Sequence, residues 1–280
     1  MRSNVKKTGE WIKMENNTVN LWSKASMSGK VKLSKEPSIT YYEAKEKRSD
    51  GAFVILPGGG YSILSDYEGK GYAEYLNSCG INAFVVDYRV APNCFPLPLL
   101  DARRSIRFVR HYAEMYEINP NKIAVMGSSA GGHLAALVST YRSELEGENL
   151  DETDKEDYIP NYQVLAYPVI NFSDLNVVHC GSVQNFIGNN PLDTAKTVDP
   201  ILIADRYTPP AFIWHTSDDD CVNVKNSLLY GAKLRDLEIP FEMHIYPNGP
   251  HGLGLANNYP YVSDWGDRLI KWLNYVGFIK

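Results

Sequence analysis

Residues 122–133 read KIAVMGSSAGGH: an apolar run stops at Gly127, and a small-residue helical pattern, AGGHLAALV, starts at Ala130. Residues 124–126 are apolar on both faces, which suits a strand covered by helices on each side. Between run and helix lies Gly127-Ser128-Ser129-Ala130-Gly131, a G-x-S-x-G pattern. In that pattern the serine occupies a sharp strand-to-helix turn with strained backbone, and its flanking residues must be small to avoid neighbouring backbone. The turn also aims helix N–H groups and their partial positive charge at the serine oxygen, where an oxyanion would form. The pentapeptide alone is equally open to a plain strand-to-helix turn.

Moving outward, short β-branched and aromatic runs alternate with longer amphipathic segments, the pattern of a parallel sheet flanked by helices. Strands are expected at 39–44, 52–56, 83–87, 122–126, 162–167, 211–215 and 242–246. Helices are expected at about 69–79, 98–116, 130–141, 224–237 and 263–275. In the second helix Ile106, Val109, Tyr112, Ala113 and Tyr116 fall at three- and four-residue steps, with Arg103, Arg107 and Arg110 around the stripe. Trp265, Leu269, Trp272 and Leu273 share one face of the last helix. The expected class is α/β, with a mostly parallel central sheet and helices on both faces, in one domain over 1–280 that begins with an extension at 1–35. Two stretches interrupt the alternation. Residues 144–157, ELEGENLDETDKED, read as a solvated acidic surface insertion, with a docking patch as the other reading. Residues 171–203 carry scattered Gly, Asn and Pro with no clean period, as lids and binding loops do.

Composition narrows the function. Among 280 residues, 28 Lys+Arg against 33 Asp+Glu give a net charge of -5. With no sustained basic stripe, neither nucleic acid nor an anionic membrane is expected as a partner. Cys79, Cys94, Cys180 and Cys221 lie far apart with no zinc spacing, so free thiols in a reducing compartment are expected. The start MRSNVKKTGEWIKMENN has charge but no apolar stretch behind it, and the longest apolar runs are strand-sized. A soluble, cytoplasmic protein is expected, and pairing with a second copy as a homodimer is left open.

Three further elements carry chemistry. FVILPGGGY at 53–61 is a strand running into glycines that let backbone N–H groups approach an anion. A Walker loop would end Gly-Lys-Ser/Thr, and a dinucleotide fingerprint would need glycine where Ile63 stands; both fail. An oxyanion-hole loop fits, with N–H donors from Gly59, Gly60 and, after the serine, Ala130. FIWHTSDDDCVNV at 212–224 is a strand ending in acids, one of which could orient a histidine. Helix capping competes for that cluster, and calcium-loop spacing is missing. YPNGPHGLG at 246–254 holds His251 on a tight turn beyond a strand end, where residues of open α/β sheets gather at sites. His111, His133, His215 and His244 read as structural; His179, in the irregular region, could contact a ligand.

The order Ser129, an Asp near 219, then His251 is that of α/β-hydrolases and differs from the chymotrypsin and subtilisin orders. With PGGGY, DYRVAP (87–92), DARR (101–104), GSSAGGHLAA (127–136), TPPAFIWHTSDDDCV (208–222) and PHGLGLA (250–256), the chain resembles serine esterases of the α/β-hydrolase superfamily over about 35–275. Its likeness is to the acetyl-esterase, xylan-esterase-like group near the hormone-sensitive-lipase branch. That resemblance implies Ser129 as nucleophile, His251 as base and, through a D-x-x-V pattern, Asp219 rather than Asp218 as the acid. It implies short acyl esters, acetylated sugars or oligosaccharides as substrates, and neither metal nor cofactor. Lipase relatives usually carry His-Gly-Gly-Gly, where this chain has Pro57; the N–H donors remain, and a side chain that helps hold the loop is lost. Val222-Asn-Val replaces the group's usual Val-Pro-Val. Tyr61, Ser62, Asp66 and Glu68 are expected to line a polar alcohol-side pocket, against a solvated helix start with acids near its positive end. A peptidase of the same superfamily and a catalytically silent binding protein on the same scaffold are the competing functions.

Overall fold

In strand β5 (Ala52–Leu56) every residue is buried, and successive side chains enter different cores. Ala52, Val54 and Leu56 join one cluster; Phe53 and Ile55 join the other. Period-two alternation between two covered faces requires helices on both sides. The computed structural model describes residues 4–7 and 10–13 as backbone, and 17–22, 36–148 and 150–280 in full.

The remaining strands are β1 (Asn4–Lys7), β2 (Glu10–Lys13), β3 (Thr18–Asn20), β4 (Ser38–Tyr42), β6 (Asn82–Asp87), β7 (Ile123–Ser128), β8 (Tyr162–Ala166), β9 (Ala211–Thr216) and β10 (Phe241–Tyr246). The helices are α1 (Asp66–Ser78), α2 (Leu97–His111), α3 (Ser129–Thr140), α4 (Cys180–Ile187), α5 (Thr194–Thr197), α6 (Pro200–Ile203), α7 (Lys225–Asp236) and α8 (Trp265–Tyr275). Eight strands form the main sheet in the order β10-β9-β8-β7-β5-β6-β4-β3, parallel from β10 to β6, with β4 and β3 antiparallel at one edge. β1 and β2 pair separately. Residues from α2, α3 and α7 fill one core and residues from α1 and α8 the other, where Trp214 stacks on Trp265 with centroids 5.0 Å apart.

From β5 the chain moves to β6 on one side, then returns across to β7 on the other. This reversal opens a crevice at the carboxyl ends of β5 and β7, where open α/β sheets place their sites. The glycine loop follows β5 and Ser129 follows β7, so the topology alone brings them together.

Several expectations need correction. The second helix stops at His111, not 116, although Ala113 and Tyr116 stay buried in the same core. The apolar stripe continues through hydrogen-bonded turns (Tyr116 N–H to the Tyr112 carbonyl, Ile118 N–H to that of Ala113), so periodicity overshoots the helix. Residues 171–203 contain α4, α5 and α6 rather than irregular chain; Phe186 of α4 is fully buried against Tyr61, Phe172 and His133. β3 was not foreseen, and much of the expected extension at 1–35 lies outside the described residues.

The acidic stretch 144–157 is not simply solvated, and Arg103, Arg104 and Arg107 of α2 are buried beneath it. Arg103 is fully buried; its Nη1 donates to both Glu148 oxygens at 2.9 Å and its guanidinium lies 3.9 Å from the Tyr158 ring centroid. Arg104 forms a two-pronged pair with Asp151 and meets Asp154, while Arg107 meets Glu148. Opposite charges bury one another here, and their ion pairs and hydrogen bonds offset much of the cost of desolvation. Among the described residues no helix is long and apolar enough to cross a membrane.

Candidate active site

Ser129 opens α3 at φ +52, left-handed geometry for a side chain with a Cβ. Gly127 makes this turn feasible: a Cβ there would overlap the Gly131 carbonyl. Across the crevice, Gly59 sits at φ +125, where a Cβ would run into the Ile63 carbonyl, and its own carbonyl accepts the N–H groups of Ser62 and Ile63. The loop is thus curled so that, among the described residues, the N–H groups of Gly59, Gly60 and Ala130 meet no acceptor. From α4, Asn185 Nδ2 donates to the Gly60 carbonyl at 2.9 Å, fixing the loop from above.

His251 Nε2 lies 2.8 Å from Ser129 Oγ, and its Nδ1 lies 2.7 Å from Asp219 Oδ2. An ionised Asp219 can only accept, so Nδ1 carries the proton and Nε2 offers a lone pair to the serine hydroxyl. The neighbouring acids do other work: Asp218 accepts the Gly249 N–H at 2.8 Å, anchoring the turn before His251. Asp219 has no exposed side-chain surface. Burial pushes its carboxyl up, but hydrogen bonds from His215, His251 and the Val222 N–H outweigh burial and hold it well below the usual carboxylate range. His215 in β9, read as structural, is what secures this acid. Its Nδ1 faces Ser227 Oγ at 2.8 Å, and its Nε2 reaches the Val222 carbonyl at 2.9 Å and Asp219 Oδ2 at 3.2 Å.

Of the four residues expected to line an alcohol-side pocket, Ser62 and Asp66 are exposed beside the glycine loop. Tyr61 and Glu68 are not pocket-lining. Tyr61 is fully buried, with its hydroxyl 2.7 Å from His133 Nδ1. His133 also reaches the Val198 carbonyl, and burial pushes its pKa down to about 3, so it stays neutral. Glu68 is 2% exposed and lies beneath the site. Its Oε2 accepts the Gly58 N–H at 2.9 Å, and its Oε1 accepts the Tyr167 hydroxyl at 2.6 Å. Tyr167 Oη in turn accepts the Gly254 N–H at 2.9 Å and lies 3.1 Å from the Tyr72 hydroxyl, which accepts from Ser128 Oγ at 2.9 Å. Burial raises the Glu68 carboxyl above its ordinary value, against the opposing pull of Tyr167, the Gly58 N–H and His251.

His179 caps α4; its Nδ1 takes the Ser182 N–H, and its Nε2 lies 3.7 Å from Cys221 Sγ beside the acid loop. Burial lowers its pKa, and the His251 charge lowers it further. Tyr67 donates to the Gly252 carbonyl at 3.0 Å, tying α1 to the histidine loop. Sequence reasoning missed Tyr167 and the roles of His215 and Glu68. The only signal for Tyr167 was a Tyr-Pro pair at the carboxyl end of a buried strand.

The BD-FAE family matches residues 40–234. The chain is 38% identical to an acetyl ester-xyloside bifunctional hydrolase from Caldicellulosiruptor lactoaceticus, covering 95% of this chain and 98% of that one with a TM-score of 0.88. It is 35% identical to the acetylxylan esterase of Xylanibacter ruminicola over 81% of this chain and 46% of that protein. It is 32% identical to endo-1,4-beta-xylanase B of Butyrivibrio fibrisolvens over 88% of this chain and 39% of that protein. The chain therefore spans less than half the length of these two curated relatives.

Proposed function

The chain belongs to the BD-FAE family, in the acetyl- and xylan-esterase-like group of α/β-hydrolases, and from that membership we propose that it is a serine carboxylesterase removing acetyl-type groups from sugars or xylo-oligosaccharides. The observation that carries the reading is the 2.8 Å and 2.7 Å pair of contacts linking Ser129, His251 and Asp219. The names of the relatives supply the substrate class.

In the proposed reaction His251 Nε2 takes the Ser129 proton as Oγ attacks the ester carbonyl, and Asp219 stabilises the imidazolium that results. The N–H groups of Gly59, Gly60 and Ala130 receive the oxyanion, each worth roughly 3 kcal/mol in such sites. The leaving alcohol collects the proton from His251. Water, activated by the same imidazole, then attacks the acyl-enzyme and releases acetate. Ser62 and Asp66 are assigned to the alcohol side of the cleft because they are exposed next to the glycine loop. Free thiols at Cys79, Cys94, Cys180 and Cys221 support a reducing, cytoplasmic setting, with imported oligosaccharide esters as substrates.

A panel of acetyl to octanoyl esters and acetylated xylo-oligosaccharides, run beside Ser129→Ala, tests this reading. Acetyl esters turn over fastest, and the variant loses on the order of 10^5-fold in kcat. A Ser129→Ala protein as active as the parent would remove the assignment.

A further inference from the structure

Glu68 has no place in the reaction as drawn, yet hydrogen bonds from the oxyanion, nucleophile and histidine loops converge on it. Its carboxylate directly holds the N–H of Gly58, the residue before the glycines assigned to the oxyanion. Through Tyr167 it holds the N–H of Gly254, three residues past His251. Through Tyr167 and Tyr72 it ends a chain that begins at Ser128, the residue before the nucleophile. The proton order of that chain follows from donor counting. Tyr167 gives its single proton to Glu68, so Tyr72 must donate to Tyr167, and Ser128 to Tyr72. Only an acceptor at the end of the chain, as an ionised carboxylate is, fixes that direction.

Tyr167 is itself held in an unusual state. It has φ +36, its N–H donates to the Trp214 carbonyl, and its ring meets the His251 ring edge-on at 5.1 Å. A bulky residue keeps such backbone only where its surroundings over-determine it. Glu68 thus lies behind the imidazole as a second carboxylate, on the side of α1 rather than of Asp219.

We propose that Glu68 is a positioning residue for ester hydrolysis: its buried negative charge sets the register of the oxyanion, nucleophile and histidine loops and favours the charged imidazole of His251. The proposal rests on the reading of Ser129, His251 and Asp219 given above. His251 meets Asp219 and Ser129 by hydrogen bond and Tyr167 by its ring, and it interacts through charge with Glu68 on α1 and with His179 at the start of α4. Among these groups Asp219 and Glu68 are the carboxyls, and Glu68 and His251 interact through charge. Removing the Glu68 charge makes the imidazole easier to deprotonate, so the acid limb of kcat/KM moves to lower pH.

The test compares Glu68→Gln, Glu68→Asp and Tyr167→Phe with the parent on p-nitrophenyl acetate, alongside thermal unfolding and the rate of Ser129 labelling by a fluorophosphonate. For Glu68→Gln we expect kcat to fall on the order of 10- to 100-fold with KM little changed, and labelling to slow in parallel. Its acid limb should move down by about half a pH unit or more. Glu68→Asp keeps the charge but cannot span both partners, and Tyr167→Phe keeps the charge but cuts the link to Gly254. Both should lose kcat while the limb stays in place, which keeps the proposal open to test even if the glutamine variant fails to fold. A folded Glu68→Gln protein with parental kcat and limb would overturn the proposal. A kcat loss that only mirrors the unfolded fraction, with the limb unmoved, would overturn it equally. If the parent neither turns over ester nor labels at Ser129, the triad reading itself is wrong and takes this proposal with it.

Discussion

Two buried carboxylates flank His251, and their surroundings drive them in opposite directions. Asp219, in the loop after β9, receives hydrogen bonds from two imidazoles and from the N–H groups of Cys221 and Val222, and these hold its carboxyl low despite burial. Glu68, in the first turn of α1, is pulled down by the Tyr167 hydroxyl, the Gly58 N–H, the His251 charge and the Ser65 side chain, but burial wins and its carboxyl is raised. Burial is common to both; the number and charge of donors decides the sign. Oppositely perturbed acids beside one base indicate different duties. In the proposed reaction Asp219 fixes the tautomer and stabilises the imidazolium at contact distance, whereas Glu68 is proposed to act at one remove, through loops and long-range charge.

The comparison is broken most directly at Asp219. In Asp219→Asn an amide NH2 or a neutral oxygen faces the Nδ1 proton, and the imidazole can settle in the wrong tautomer. We expect a fall of about 10^4-fold in kcat, against the far smaller loss at Glu68. Steady-state kinetics on both variants would refute the ranking if the two losses were equal.

The pH dependence of stability sharpens the contrast further. A carboxyl lowered on folding contributes stability that is fully present above its unfolded value of about 3.9 and is lost as pH falls towards the folded one. The cost of Asp219→Asn should therefore grow as pH rises through that window. A carboxyl raised on folding behaves in reverse, because ionising it above its unfolded value of about 4.3 costs the folded state. The cost of Glu68→Gln should shrink as pH rises. Urea unfolding of both variants from about pH 3 to 6 reads the two slopes, and slopes of one sign would contradict the assignment.

The smallest expected effect lies at the far end of the hydrogen-bond chain. Tyr72→Phe strips Ser128 Oγ of its acceptor and Tyr167 of a donor but leaves both carboxylates in place. A stability loss of about 1 kcal/mol is expected, with kcat within about threefold of the parent. A loss of activity as large as that of Glu68→Gln would make the link to Ser128, rather than those to Gly58 and Gly254, the one that governs the site.

What the sequence makes legible follows the same division. Ser129 opens a helix directly after a strand, and Asp219 and His251 each follow a strand on a short loop, so local pattern and chain order single them out without knowledge of their neighbours. The parallel sheet and both of its helix layers are legible for the same reason: alternation and periodicity are local signals. Glu68 is different. Three residues after Ser65 at a helix start, it fits a capping box and the positive end of the helix, which explains it fully with no tertiary partner. Ser65 makes no side-chain cap, however, and the carboxylate turns inward to Gly58 and Tyr167. Arg103 is hidden from sequence for a related reason: charged residues are placed outside by default, and its carboxylate partner at Glu148 is 45 positions away. The helices at 171–203 are hidden because they are short and separated by Gly, Asn and Pro, while the packing that holds α4 comes from the distant Tyr61 and His133.

Mapping the covalent adduct tests the central claim most directly. The parent protein is treated with a fluorophosphonate, digested and analysed by mass spectrometry. A single adduct on Ser129 is predicted, formed far more slowly in His251→Ala and Asp219→Asn. An adduct on another residue, or a folded protein that stays unmodified while acetyl esters are hydrolysed, would contradict the account.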